Sequence, residues 1–481
     1  MSTFIRASKF RHVFAEHPRL DATYQNLRLS TVTGEQNYIK ANPLYFAVGT
    51  QGGGGPFAVI PLDKPGRVDP AAPVINGHTG AVLDFDFNPF NDNIIASASE
   101  DMTVKVWGIP EGGLTANIET PLVDLHGHSR RVTLLRFHPT SDGVLASVSG
   151  DNTVKLWDIT AGREINGLDP GVHDHQLIQD CVWDYIGQMY ATSAKDKTVR
   201  ILDARSSTVA DSIPNAHEGS KSVKLTYLGS SNNLLSVGFT KQSMRQFKIW
   251  DPRNTAKPLK SLDVDQAAGV IMPFYDPDTQ LLYLAGKGDG NVRFYEIVNS
   301  EPYVYPVSDH RSTVAAKGMA WVPKRGLNIM ANETARLLKL TTNSVEPLQF
   351  FVPRKSESFQ EDLYPDTAAK IPAQTCAEWL AGGNKEPVHV SLNPAKAGTS
   401  GTGPAPGLGF FAFLTLSLSL SLSLSSNQRH RCHQDCLARG CRKVLRAREE
   451  CRRAAGRARC CQRQDQGTRG APGRCWSFSL D

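Results

Sequence analysis

The chain has 481 residues, with 53 basic and 47 acidic side chains and a formal charge of +6. Residues 1–428 carry a net −3 and residues 429–481 a net +9, so the positive balance belongs to the tail and excludes a nucleic-acid footprint for the body. Of the nine cysteines only Cys181 and Cys376 lie in the body, which excludes a disulfide framework and fits thiols kept reduced in a cytosol. The opening Met1–Arg6 turns basic before any apolar run develops, so no secretory signal is expected.

The first structural signal is a pair of apolar runs, Leu44 to Val48 and Phe57 to Ile60, flanking Gly52 to Gly55. That glycine run lacks the Gly-Lys-Ser/Thr ending of a phosphate loop and reads as a hairpin turn. Two near-copies follow. Gly77-His78 leads to Trp107 and Gly127-His128 leads to Trp157-Asp158, with 29 residues from His to Trp each time. Between them run IIASASEDMTVKVW and VLASVSGDNTVKLW, each a strand, a tight turn and an alternating strand. A Gly-His to Trp-Asp unit of roughly 40–45 residues marks one blade of a β-propeller.

Within each copy, His78, Ser97 or Ser99, Asp101 and Trp107, and likewise His128, Ser147 or Ser149, Asp151 and Trp157, can join in a buried hydrogen-bonded chain; Ser99 and Ser149 are assigned as the serines. A His, Ser and Asp also invite a catalytic-triad reading. Recurrence at fixed spacing favours blade architecture, because buried polar groups need partners.

Weaker copies run from Val182 to Asp203, from His217 to Asp251 with Met244 at the turn position, from Leu281 to Glu296, and from Asn328 to Lys339 with strands at Asn328–Ala331 and Thr334–Lys339. With the N-terminal hairpin these make seven blades over residues 1–340, an all-β ring with short protected edges. Residues 341–394 hold apolar anchors at Phe350 to Pro353, Leu363-Tyr364-Pro365 and Trp379-Leu380 between polar spacers, and read as an extension strapped over one face of the ring. Leu202-Asp203-Ala204-Arg205 and Trp250-Asp251-Pro252-Arg253 each place Asp-x-Arg after a blade strand, a pattern by which some propellers dock onto ubiquitin-ligase adaptors; local pairing of the Arg is the commoner outcome.

Residues 395–428 are a Gly/Pro linker followed by a Ser-Leu low-complexity run. About 18 of them carry no charge, yet serine at every second position is too polar for a lipid-facing helix, so no membrane span is assigned. Alternating Ser and Leu is what a repeated CT dinucleotide encodes, as in a pyrimidine tract before a splice acceptor. Residues 429–481 are rich in Arg, Cys, Ala and Gln without an apolar repeat, as an out-of-frame reading would be; as protein they are expected to be disordered. The spacing of His430, Cys432, His433, Cys436 and Cys441 does not reproduce a paired metal-binding arrangement, so no metal or other cofactor is expected.

Several segments outside the repeats resemble one family. Arg6 to Phe14 (RASKFRHVF), Tyr24 to Ser30 (YQNLRLS), GFTKQSMRQFKIWDPRN, Phe359 to Thr367 (FQEDLYPDT), Glu378-Trp379-Leu380 and Glu386-Pro387-Val388 occur in the order found in coronins and cover residues 1 to about 394. The resemblance implies a WD-repeat propeller that binds filamentous actin and organises the cytoskeleton at the cell cortex. It also implies a C-terminal extension packed beneath the propeller and a terminal coiled coil through which the chain oligomerises and meets the actin-branching complex. It places Arg28 at the filament, helped by Arg6, Lys9 and Arg11, with Lys241 or Arg245 as outlying candidates. A cation on a rigid rim can pair with acidic actin. Residues 429–481 depart from the family in lacking heptads. The competing reading is a propeller adaptor that presents substrates to a ubiquitin ligase. No nucleophile with an oriented base, metal set or phosphate loop supports an enzyme.

Overall fold

The computed structural model describes residues 8–396 except Glu35 and Glu357. Among them, seven antiparallel sheets follow one another along the chain as the blades of a propeller. The second blade shows the rule: Val82–Phe87, Ile94–Ser99, Val104–Gly108 and Val123–Leu125 pair in sequence order from the ring axis outwards. All six residues of Ile94–Ser99 are buried, as are those of Val144–Ser149, Leu234–Phe239 and Leu281–Gly286. Neighbouring blades cover both faces of the second strand, so these segments read as continuous small or apolar runs without alternation. Outer strands such as Arg163–Gly167 and Val209–Ile213 are largely polar and solvent-facing.

The turn between second and third strands has a common geometry. Met102 (φ 69°), Asn152 (φ 68°), Lys197 (φ 65°), Ser243 (φ 64°) and Gly290 (φ 75°) all sit in the left-handed region at this turn. Short tight turns reverse the chain there, and four of the five accept a side chain in a conformation usually left to glycine. These turns and the loops that precede each blade form the upper face; the other loops form the lower face.

The N-terminus closes the ring. Phe14–Glu16 pairs antiparallel with Val345–Phe351, Phe14 opposite Phe351, and Tyr24 pairs with Val345. The last blade thus takes its outer strand from the start of the chain, covering an edge that would otherwise stay open. This corrects the sequence boundary at 340, because Val345–Phe351 is a strand of the seventh blade paired with Glu333–Leu340. Phe350, expected as an anchor of the extension, is fully buried within that blade. The strand expected at Asn328–Ala331 is instead a 3-10 turn, Ile329–Ala331, whose N-cap Asn328 accepts the Ala331 N–H; the blade begins with Gly318–Trp321.

Beyond the last blade the chain runs along the lower face. Leu363 and Tyr364 are buried, and the Tyr364 hydroxyl donates to the Glu333 carbonyl at 2.9 Å. Gln374–Thr375 adds a parallel pairing to Ser141–Asp142 of the third blade. The helix Cys376–Leu380 follows, its first turn closed by reciprocal bonds between Thr375 and Glu378. Trp379 is 0% exposed, whereas Leu380, expected as its partner anchor, is 38% exposed. This five-residue helix turns Cys376 and Trp379 inward, one turn apart, and leaves Leu380 on its outer side. Arg6, the linker beyond Lys396, the Ser-Leu run and the Cys-rich tail lie outside the described residues.

Candidate functional site

The recurring polar sets are built as bonded chains. In the second blade the Trp107 Nε1–H donates to Ser97 Oγ at 2.8 Å, Ser97 Oγ lies 2.7 Å from His78 Nε2, and His78 Nδ1 lies 2.8 Å from Asp101 Oδ2. The third blade repeats this through Trp157, Ser147, His128 and Asp151 at 2.7, 2.7 and 2.9 Å. The serine assignment is therefore corrected: Ser97 and Ser147 complete the sets, not Ser99 and Ser149. Both serines of each pair project to one side of the strand, but Trp107 pairs across to Ile95, one step along that side from Ser97. Ser99, at the strand end, donates to the Gly80 carbonyl and accepts the Asp101 N–H; Ser149 does the equivalent work with Arg130, Arg131 and Asp151. Burial would raise the Asp101 carboxyl, but hydrogen bonds from His78 and Thr103 outweigh it and hold it well below the usual carboxylate range; Asp151 is held likewise by His128 and Thr153. The buried Ser97 hydroxyl is engaged on both sides, which fits a role in blade geometry.

Two further sets escaped full recognition. In the fourth blade His173 Nε2 meets Thr192 Oγ1 at 2.8 Å and His173 Nδ1 lies 3.5 Å from Asp196. The signal was present, since His173 stands 29 residues before Leu202, but threonine and leucine replace serine and tryptophan. In the fifth blade Ser236 joins His217 at 2.9 Å and Trp250 at 2.8 Å, with the step lengthened to 33 residues.

The candidate filament cations do not form one patch. Arg28 is exposed between Leu27 and Leu29, each 6% exposed, so the chain buries its neighbours and turns Arg28 outward. Its carbonyl accepts the Gln51 N–H at 2.8 Å and Leu29 bridges to Thr50, fixing the segment beside the first-blade turn on the upper face. Lys9 and Arg11 are exposed near the other end of the closing strand. Phe14, just after them, pairs with the last residue of Val345–Phe351, whereas Tyr24, just before Arg28, pairs with the first. Lys9 Nζ donates to the Asp362 carbonyl of the lower-face extension. Lys241 is exposed on the upper face. Arg245 is 0% exposed, with Nη2 2.6 Å from Asp265 and 2.7 Å from Asp289, so it serves the joint between the fifth and sixth blades and faces no partner.

The two Asp-x-Arg boxes also part ways. Arg253 pairs locally with Asp251 at 2.9 Å. Arg205 lies over the Trp379 ring at 5.0 Å, donates to the Trp379 carbonyl at 2.7 Å and reaches Asn384 Oδ1 at 2.8 Å. The extension, not an adaptor, occupies this arginine. Among the described residues no helix is long and apolar enough to cross a membrane.

Comparisons with known proteins agree with this architecture. Residues 72–108 and 119–158 match the WD domain, G-beta repeat; residues 345–387 match a type of WD40 repeat; residues 3–67 match a domain of unknown function (DUF1899). The crystal structure of the mitotic checkpoint complex, at 16% identity and a TM-score of 0.51 over 74% of this chain and 98% of that one, shares the fold alone. The crystal structure of the WD40 domain from Toxoplasma gondii coronin matches 80% of this chain and 98% of that one, with a TM-score of 0.75 and 32% identity. Coronin-A of Dictyostelium discoideum is 49% identical over 393 residues, covering 82% of this chain and 87% of the relative. With the flanking segments, the ring and the lower-face extension all in family order, the chain belongs to the coronin family.

Proposed function

We propose that this protein is an actin-filament-binding scaffold that organises the actin cytoskeleton in the cytoplasm and at the cell cortex, with Arg28 as its principal filament contact. The observation that carries the reading is the relationship to Coronin-A across the whole body, 49% identity over 393 residues. The outward, backbone-clamped position of Arg28 supports it, since a charge on a rigid support meets an acidic surface with little ordering cost. Arg6, Lys9 and Arg11 are secondary contacts. A filament that met both Arg28 and the Lys9–Arg11 segment would have to lie along the outer edge of the closing blade.

The ring with its docked extension is proposed to act as one folding unit through about residue 394. The chain as written is proposed to be monomeric, with weak filament binding and little effect on branching, because residues 429–481 offer no heptads to link copies and raise avidity. Co-sedimentation of Arg28→Asp with filamentous actin tests the main reading: the variant should pellet less at low salt, and added salt should weaken the wild type in the same direction. Equal pelleting of the two proteins would remove Arg28 from the interface. Light scattering tests the monomer, and a stable dimer or trimer would refute it.

A further inference from the structure

The upper face holds a second cationic feature, centred on the second, third and fourth blades and reaching Thr33 to Gln36 and Ser220 to Lys224 at its inner end. A groove of about 700 Å³ is lined by Met102, Arg130, Arg131, Leu177 and Lys195 among others. Arg131, Leu177 and Lys195 also line an adjoining depression of about 430 Å³ that reaches Leu134 and Lys224 on the innermost strands. The two together form one trough from the outer rim towards the ring axis.

Its chemistry is unusual for this molecule. Most upper-face cations are engaged: Lys197 donates to the Glu218 carbonyl, Lys287 to the Gly34 and Gln36 carbonyls, and Arg311 pairs with Asp309. Arg130, Arg131 and Lys195 are exposed, and their side chains have no hydrogen-bond or ion-pair partner among the described residues. Glu100 is the one carboxylate among the described lining residues of both depressions. The nearby Asp101 and Asp151 are bound to His78 and His128. Two large apolar side chains stand exposed in the same groove, Met102 at 45% and Leu177 at 41%.

Unpaired cations repel one another and stay solvated unless an anion arrives, and exposed apolar side chains beside them gain by being covered. A bare polyanion would satisfy the first feature and leave the second in water. We infer that this trough is a docking site for an acidic peptide segment carrying apolar side chains. Its carboxylates would pair with Arg130, Arg131 and Lys195, and its apolar residues would cover Met102 and Leu177. Arginine is suited to the task because its planar fork holds a carboxylate through two bonds. Tight turns present these groups: Met102 occupies the left-handed turn position, and Asn152 Nδ2 bonds the His175 carbonyl at 2.9 Å, tying the third-blade turn to the fourth-blade loop. Its three cations stand on the third and fourth blades, whereas Arg28 stands in the segment that leads into the first, so substitutions can separate this site from the filament contact.

The test is fluorescence anisotropy with the full chain and a short labelled peptide rich in Glu and bearing leucine anchors. Binding should be salt-sensitive, and the double reversal Arg130→Glu with Arg131→Glu should weaken it by about tenfold or more. Leu177→Ser should weaken it with its salt dependence unchanged. Arg28→Asp should leave it intact. Melting temperature and near-ultraviolet circular dichroism identify any variant that fails to fold, and Lys195→Glu alone then serves as the second reversal. The proposal is overturned if the folded reversal variants bind the peptide as the wild type does. It is also overturned if Arg28→Asp abolishes binding, or if a single-stranded DNA oligonucleotide binds as tightly and responds to the same reversals.

Discussion

The two faces of the ring use similar residues for opposite ends. On the lower face Arg205 is covered by the extension, stacked on Trp379 and bonded to the extension backbone. On the upper face Arg28, Arg130 and Arg131 stand exposed on turns and loops whose backbones are held by blade geometry. The difference teaches that a cation's role here is set by what the chain lays over it. Burial is complete below and between blades, and the upper face, which nothing in the described chain covers, is the one on which recognition is proposed.

The largest effect should come from the lower face. Trp379→Ala removes a fully buried indole and its bond to the Gly187 carbonyl at 3.1 Å, and should cost about 3–5 kcal/mol in denaturant unfolding, with the extension becoming the first site of proteolysis. Unchanged stability would show that the extension is not part of the folded unit. Next, Ser97→Ala should cost about 1–3 kcal/mol, because it leaves both the Trp107 N–H and the His78 ring nitrogen without a partner. Ser99→Ala should cost less, since its groups lie at the strand end near water; a larger loss at Ser99 would reverse the ordering of the two serines.

The third test separates the faces by pH. Burial lowers His138 to about 3, its Nε2 bonded to the Gly187 carbonyl and its Nδ1 accepting the Thr140 and Ser141 N–H groups. Burial likewise lowers His217 to about 3 and His173 to about 4. An unfolded histidine titrates near ~6.5, so below that value the unfolded chain binds protons that the folded chain refuses. Stability is therefore fully present above about pH 6.5 and should decline as pH falls from there towards 4. Asp101 and Asp151, held below their usual range, add a further loss below about pH 4. A melting temperature that stays flat from pH 7.5 to 5 would contradict this, whereas contacts made by Arg28 should respond to salt and hardly to pH in that window. The smallest expected effect is on stability in Arg28→Asp, within about 0.5 kcal/mol, measured beside its pelleting defect. A large loss would mean that Arg28 holds the closing blade together.

The fold was legible because the second and third blades repeat one chemical sentence. Histidine, serine, aspartate and tryptophan recur at fixed spacing, and buried polar groups that must bond one another leave little freedom in sequence. Blades that break the sentence were read less well. His173 was missed because Thr192 and Leu202 stand in for the usual residues, and the seventh blade was misplaced because its second strand, Glu333–Leu340, resembles no other repeat.

By itself the sequence determined the ring, the His, Asp and Trp members of two polar sets and the family, since these rest on local spacing and on short segments in a fixed order. Only the tertiary structure decided which serine of each pair bonds, because both share a strand face and the choice depends on cross-strand register. It alone separated Lys9 and Arg11 from Arg28, residues near in sequence that the closing strand carries to opposite ends of the seventh blade. It alone gave Arg245 to an interblade joint, Arg205 to the extension and Arg130 and Arg131 to solvent. An arginine's charge is written in the chain, but its partner is chosen by segments far away in sequence, and they meet only when the ring closes.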